Sequence, residues 1–188
     1  MAVVLGTNSG FVSVAPVDDP AGLNQEADNK AHVTKHTSPA TSNKITEMGW
    51  YCDNATEEAN FEVGLYAADG AVVPGEAGTR LYVSAVNAKS TTLGWKRVTV
   101  DWDIDPATIY WLGLQVDDST TTTNINYGSV TGNGRDSRTL ASLPDPFDGG
   151  ALIDAVGMVT IYALWESAST GNTPLPVYIN NMKQQGIL

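Results

Sequence analysis

Apolar and polar side chains alternate along several short stretches of this chain, which is the pattern of half-buried β-strands. The clearest alternation gives one strand an apolar face made of Val98, Val100, Trp102 and Ile104. Residues 109–116 are apolar almost throughout, as is typical of a central strand covered on both faces. No stretch has the period of a helix, so the pattern predicts an all-β chain.

The stretch from Ile45 to Ala67 predicts two strands joined by a short polar turn. Each strand has one apolar face, and the two faces comprise Met48, Trp50 and Cys52 in the first strand and Phe61, Val63 and Leu65 in the second. We interpret this stretch as a hairpin from which the rest of the fold is built. Cys52 is the only cysteine, so we expect no intrachain disulfide and a small buried side chain at this position.

Turn signals separate about eight strands, at the spacing of a sandwich or jelly roll. We therefore predict an antiparallel jelly-roll β-sandwich over residues 31–166, preceded by an N-terminal arm over residues 1–30. Residues 167–188 are predicted to form a linker and a C-terminal docking arm, because this segment is too short to bury a core of its own. Its apolar anchors are Val177, Ile179, Met182, Ile187 and Leu188.

The charge balance limits the partners of the 188-residue chain. Its net charge of −11 repels phosphate backbones and anionic lipid, so we expect no nucleic acid and no membrane as partner. The apolar run at the N-terminus is too short for a signal sequence or a membrane span. These features favour synthesis in a cytoplasm.

Catalytic residues are hard to find in this sequence. The only histidines, His32 and His36, fall in a predicted edge strand, Ala31 to His36, and we interpret them as polar edge residues. The chain has no nucleophile elbow. A carboxylate pair for glycoside hydrolysis stays open, because the acidic residues are numerous and nothing singles out two of them. We predict that the protein is not an enzyme.

Acidic residues raise the question of a metal. Asp101, Asp103 and Asp105 share one strand face and resemble the start of a calcium loop, but Pro106 stands where that loop requires glycine. A solvated strand face is the favoured interpretation. The pair at residues 117–118 could still join a structural calcium site of another kind. We predict no cofactor and no metal, with a structural calcium as the alternative.

Aromatic residues divide into two groups by their phase in the predicted strands. Trp102 and Trp165 lie in phase with aliphatic residues and are predicted to be core. Four others lie out of phase and are predicted to face outward, where aromatic rings serve either subunit interfaces or sugar binding. They are Tyr51, Tyr66, Tyr82 and Trp95.

From Lys44 to Gln115 the order of segments resembles a jelly-roll domain that recurs in phage virion proteins and in bacterial surface or secreted modular proteins. The matching segments are ITEMGWYCDN, ANFEVGLYAADG, VVPGE and LGWKRVTVDWDIDPATIYWLGLQ. The resemblance implies a non-enzymatic virion structural protein, made in the host cytoplasm as a capsid decoration or tail-associated subunit. Its expected partners are other copies of itself and a major capsid or tail protein. The alternative is a carbohydrate-binding module or receptor-binding head that recognises a glycan.

Overall fold

The architecture consists of strands arranged in two sheets. The structure, a computed structural model, describes residues 2–27, 29–54, 58–71, 75–117, 124–128, 135–139, 141–147 and 158–167. These residues contain no helix, and hence none that could cross a bilayer. They form thirteen strands: β1 (Gly10–Val12), β2 (Leu23–Glu26), β3 (Lys30–Thr37), β4 (Ser42–Asn54), β5 (Asn60–Ala67), β6 (Arg80–Val83), β7 (Asn87–Ala88), β8 (Gly94–Asp103), β9 (Ile109–Asp117), β10 (Asn124–Gly128), β11 (Arg135–Thr139), β12 (Met158–Val159) and β13 (Ile161–Ser167).

The seven-stranded sheet is built around the long strand β4. Both β13 and β8 pair antiparallel with the same part of β4, so they lie on its opposite edges. Farther along β4, β10 pairs with it, and β10 pairs in turn with β12 and β2. At the other side of the sheet, β1 pairs parallel with β13.

The six-stranded sheet has the order β11-β3-β9-β5-β6, and β7 also pairs with β5. Two expectations are wrong here. Strand β3, predicted as an edge strand, is flanked by β11 and β9. Strands β4 and β5, predicted as a hairpin, belong to different sheets, because the chain crosses from one sheet to the other between them.

The core lies between the two sheets and contains the apolar faces that the alternation predicts. Trp50 of the first sheet meets Phe61 of the second with ring centroids 5.6 Å apart. Trp102 is buried, and Trp165 is partly buried against the same core. The chain is therefore all-β, with two sheets in an arrangement compatible with a β-sandwich.

A second, smaller core covers the outer face of the six-stranded sheet. Residues 141–147 lie across this face, where Leu143 and Phe147 pack with Trp111 of β9. Strand β9 thus has apolar neighbours on both sides, which explains its continuous apolar run and confirms that expectation.

The residues predicted as an N-terminal arm take part in the sheet. Phe11 and Val12 of β1 are buried, and the Ser9 hydroxyl donates a hydrogen bond to the Val159 carbonyl at 2.7 Å. The first strand therefore packs as part of the sandwich. Ser167, the first residue of the predicted linker, ends β13, and the rest of that predicted segment, with all five anchors, lies outside the described residues.

Candidate functional site

The predicted aromatic surface does not form one site. Tyr66 has no exposed surface, because residues 141–147 cover it. Its hydroxyl donates a hydrogen bond to the Pro144 carbonyl at 2.9 Å, and its ring meets Phe147 edge-on. The prediction that Tyr66 faces outward is therefore wrong. Alternation assigned its face of β5 correctly, but that face is covered by a distant segment.

Tyr51 and Trp95 lie on the outer face of the seven-stranded sheet, beneath residues 13–19. Tyr51 is 9% exposed, so its predicted exposure is wrong as well, and Trp95 is half-buried. The Trp95 indole N–H donates to the Asp18 carbonyl at 3.1 Å, which fastens the N-terminal segment over this face. Trp95 meets Tyr51 and Tyr162 edge-on, with centroids 5.2 and 5.3 Å away. The N-terminal segment thus encloses a small aromatic cluster.

Charged and polar groups complete this cluster. The Tyr162 hydroxyl donates to Glu47, and Arg97 donates to the same carboxylate at 3.4 Å. Burial, and then the hydrogen bond to Glu47, raise the pKa of Tyr162. Burial and the nearby Asp19 raise the pKa of Tyr51 to about 12. Both phenols stay neutral at physiological pH, so the cluster serves packing better than acid–base chemistry.

Tyr162 was not among the candidate residues that the sequence suggested. Its ring lies directly over Gly49, where an added Cβ would come within 2.5 Å of the ring. A glycine in the middle of the longest strand was the one signal for this close approach.

Tyr82 lines an open groove of about 410 Å³ at one end of the sandwich. Its ring packs against the main core and stacks on Trp102, with centroids 5.4 Å apart and planes within 8°. The prediction that Tyr82 lies on the outward face of its strand is therefore wrong. The Tyr110 hydroxyl accepts the Asp105 backbone N–H at 2.9 Å, so its own proton remains for another acceptor. The groove combines aromatic rings with carboxylates, and its lining residues are Leu81, Tyr82, Asp103, Ile104, Asp105 and Tyr110.

The acidic strand face considered for calcium is occupied by a lysine. Lys44 of β4 forms ion pairs with Asp101 and with Asp103, the latter at 3.6 Å. Its hydrogen bond to Asp101 raises the pKa of Lys44. Asp117 ends β9, and Asp118 lies outside the described residues. Across the described ranges, no group of three or more His, Cys, Asp or Glu side chains is placed to hold a metal ion.

Both histidines are buried within β3, so their interpretation as polar edge residues is wrong. His36 lies against Gly10 of the first strand, where an added Cβ would be 2.7 Å from Nδ1. Burial lowers the pKa of His36 to about 3. A neutral imidazole enclosed in this way has no access to a substrate in solvent.

The strand β8 forms one border of the seven-stranded sheet. Among the described strands it pairs only with β4, so its other edge has no strand partner there. Its exposed face carries Arg97 near one end and Asp101 near the other. Lys96 points inward instead and donates to the Thr92 carbonyl at 2.7 Å, and burial lowers its pKa.

Two apolar side chains of the N-terminal segment are unusually exposed. Val14 is 75% and Val17 is 81% exposed. Both line a pocket of about 190 Å³, together with Ala15, Pro16 and parts of the preceding turn. We call Val14 and Val17 the N-terminal apolar patch.

Comparison with known proteins finds no matching family model, no matching curated protein and no matching solved structure.

Proposed function

We propose that this chain is a non-enzymatic structural subunit that assembles with other copies of itself, as a capsid decoration or tail-associated protein of a phage virion would. The observation that carries the proposal is the N-terminal apolar patch. Two β-branched side chains that remain more than 70% exposed beside an apolar-lined pocket are typical of a surface that is covered on association.

Self-association should depend on this patch. Sedimentation of the full chain over a range of concentrations should show an oligomer that dissociates on dilution. The double variant Val14→Asp/Val17→Asp should weaken it at least tenfold, because each carboxylate would be buried without a partner. Val86→Asp is the matched control, since Val86 is 66% exposed but lies between β6 and β7. A full chain that stays monomeric at every concentration would refute the proposal.

The jelly-roll connectivity and the location in a virion belong to the same proposal. The resemblance of residues 44–115 to virion domains supports both. Antibodies raised against the recombinant chain should decorate intact particles in electron micrographs. Decoration that is confined to the host cell surface would contradict a virion location.

A second candidate function is glycan binding in the groove beside Tyr82. The specific observation is that an aromatic ring, carboxylate acceptors and the Tyr110 hydroxyl line one groove, and that no acceptor for the Tyr110 proton lies among the described residues. This combination matches the apolar face and hydroxyl edge of a pyranose. Screening on immobilised polysaccharides should then detect binding that Tyr82→Ala abolishes. Tyr51→Phe serves as control, because Tyr51 is buried elsewhere. If the polysaccharide retains Tyr82→Ala and Tyr51→Phe equally, any binding takes place on another surface of the protein.

A further inference from the structure

Among the described strands, the edge of β8 that faces away from β4 has no partner, and it is long for an edge strand. Its ten residues span about 33 Å at the usual rise of a strand. An open strand edge presents unpaired backbone N–H and C=O groups to any strand of suitable shape. Proteins therefore commonly place charged side chains on such edges to prevent unwanted pairing, and β8 carries Arg97, Asp101 and Asp103 at exposed positions.

The charges along β8 are ordered by sign. On its exposed face the strand carries Arg97, then Thr99 in the middle, then Asp101 and Asp103. A two-fold axis placed beside Thr99, perpendicular to the sheet, brings a second copy of β8 alongside the first. The positive end of each strand then lies next to the negative end of the other. The edge is thus complementary in charge to itself, which is what a two-fold interface requires.

We propose that β8 pairs antiparallel with β8 of a second copy about a two-fold axis at Thr99, which joins the two seven-stranded sheets into one. This inference rests on the proposed assembly of the chain with itself. In this register Arg97 of each copy lies opposite Asp101 of the other, and the two Thr99 residues lie opposite each other. Opposite charges and threonine pairs at such positions stabilise a sheet.

The inner face of the strand agrees with the same register. Val98 of one copy lies opposite Val100 of the other, and both side chains are half-buried in the single chain. Pairing would cover the remaining apolar surface of both residues with a β-branched neighbour.

The residues of these ion pairs already have contacts within the single chain. Arg97 binds Glu47 of β4 and donates to the Pro16 carbonyl, and its side chain is 32% exposed, while Asp101 binds Lys44 of β4. The Asp101 side chain is nevertheless 79% exposed. A strand of a different protein, with another order of charges, would place like charges or neutral residues opposite Arg97 and Asp101. The same residues therefore disfavour pairing with other proteins.

Charge reversal gives a selective test. Arg97→Asp places two carboxylates opposite Asp101 residues, and Asp101→Arg places two guanidinium groups opposite Arg97 residues. We expect each variant alone to associate at least tenfold more weakly in sedimentation experiments, and a 1:1 mixture to recover association, because every opposed pair then has opposite signs. Circular dichroism of each variant reports whether it folds. Folded variants whose mixture recovers nothing, or which associate as the unaltered chain does, would overturn the proposal.

A cysteine on the axis provides a second test that leaves all charges in place. Paired Cα atoms in an antiparallel sheet lie about 4.5–5.5 Å apart, which is within reach of a disulfide. Thr99→Cys should therefore form a covalent dimer under mild oxidation, at least tenfold faster than the exposed control Val86→Cys. Cys52 is present in both variants and is buried. Equal rates would overturn the proposed axis.

The two proposals fail separately. If the N-terminal apolar patch variant dissociates the oligomer while charge reversal and Thr99→Cys have no effect, the β8 pairing is wrong and the assembly function stands. A full chain that is monomeric at every concentration overturns both.

Discussion

At the scale of single residues, strand phase predicted burial well and exposure poorly. The predicted core residues Trp50, Cys52 and Trp102 are all buried. Tyr66 and the histidines of β3 are buried too, although the alternation assigned them to the polar side. Phase tells which side chains share a face. It does not tell whether another segment covers that face.

Trp102→Ala tests the core assignment. Trp102 packs in the main core and stacks on Tyr82, so its truncation leaves a large cavity, and we expect a loss of about 3–5 kcal/mol in the free energy of unfolding. Denaturant titration measures this loss. Thr91→Ala, an exposed change shortly before the same strand, should stay within about 0.5 kcal/mol. A loss below about 1 kcal/mol for Trp102→Ala would mean that the phase of β8 is wrong.

His36 predicts a dependence of stability on pH. Its pKa is about 3 in the fold and about 6.5 when unfolded, so between these values the unfolded chain binds a proton that the folded chain does not. Stability should therefore be fully present above pH 6.5 and fall on acidification, by up to about 1.4 kcal/mol per pH unit from this group. Chemical denaturation at pH 4.5 and 7 measures the difference. If the His36→Gln variant shows the same pH slope, His36 does not carry it.

At the scale of elements, individual strands could be predicted, whereas their partners could not. The stretch from Ile45 to Ala67 does contain two strands, and their apolar faces do meet, but they meet across the core rather than side by side. A polar connection of a few residues permits both arrangements. The choice depends on which other strands, such as β13 and β9, occupy the edges of β4 and β5.

Residues 141–147 cover the outer face of the six-stranded sheet, and Phe147 is one of their buried contacts. Its ring is buried against Tyr66, and its backbone N–H donates to the Gly78 carbonyl at 2.9 Å. Phe147→Ala should lower the free energy of unfolding by about 3 kcal/mol and increase quenching of Trp111 fluorescence by acrylamide. Ser142→Ala, an exposed change in the same segment, should do neither. An unchanged stability would show that the segment lies loosely on the sheet.

At the scale of the whole molecule, the N-terminal segment closes the sandwich rather than extending from it. β1 pairs with β13, and the following residues cross the outer face of the same sheet to reach Trp95. First and last described strands are therefore neighbours.

Removal of residues 170–188 tests whether the C-terminal segment serves assembly. All residues of both described cores precede it, so the truncated chain should keep its melting temperature within a few degrees. The apolar anchors of the segment would be lost, and self-association should weaken, as measured by sedimentation. Unfolding of the truncated chain, or association equal to that of the full chain, would contradict the proposed docking arm.

The sequence alone determined the all-β class, the strands with strong alternation and the main core, because each depends on local side-chain periodicity. The charge order along β8 was also readable, although its meaning required the open edge. Tertiary structure alone decided which strands pair, that residues 141–147 bury Tyr66, and that the N-terminal segment covers Tyr51. These outcomes depend on contacts between residues distant in the chain, and no local pattern of polar and apolar residues encodes which distant segment covers a given face.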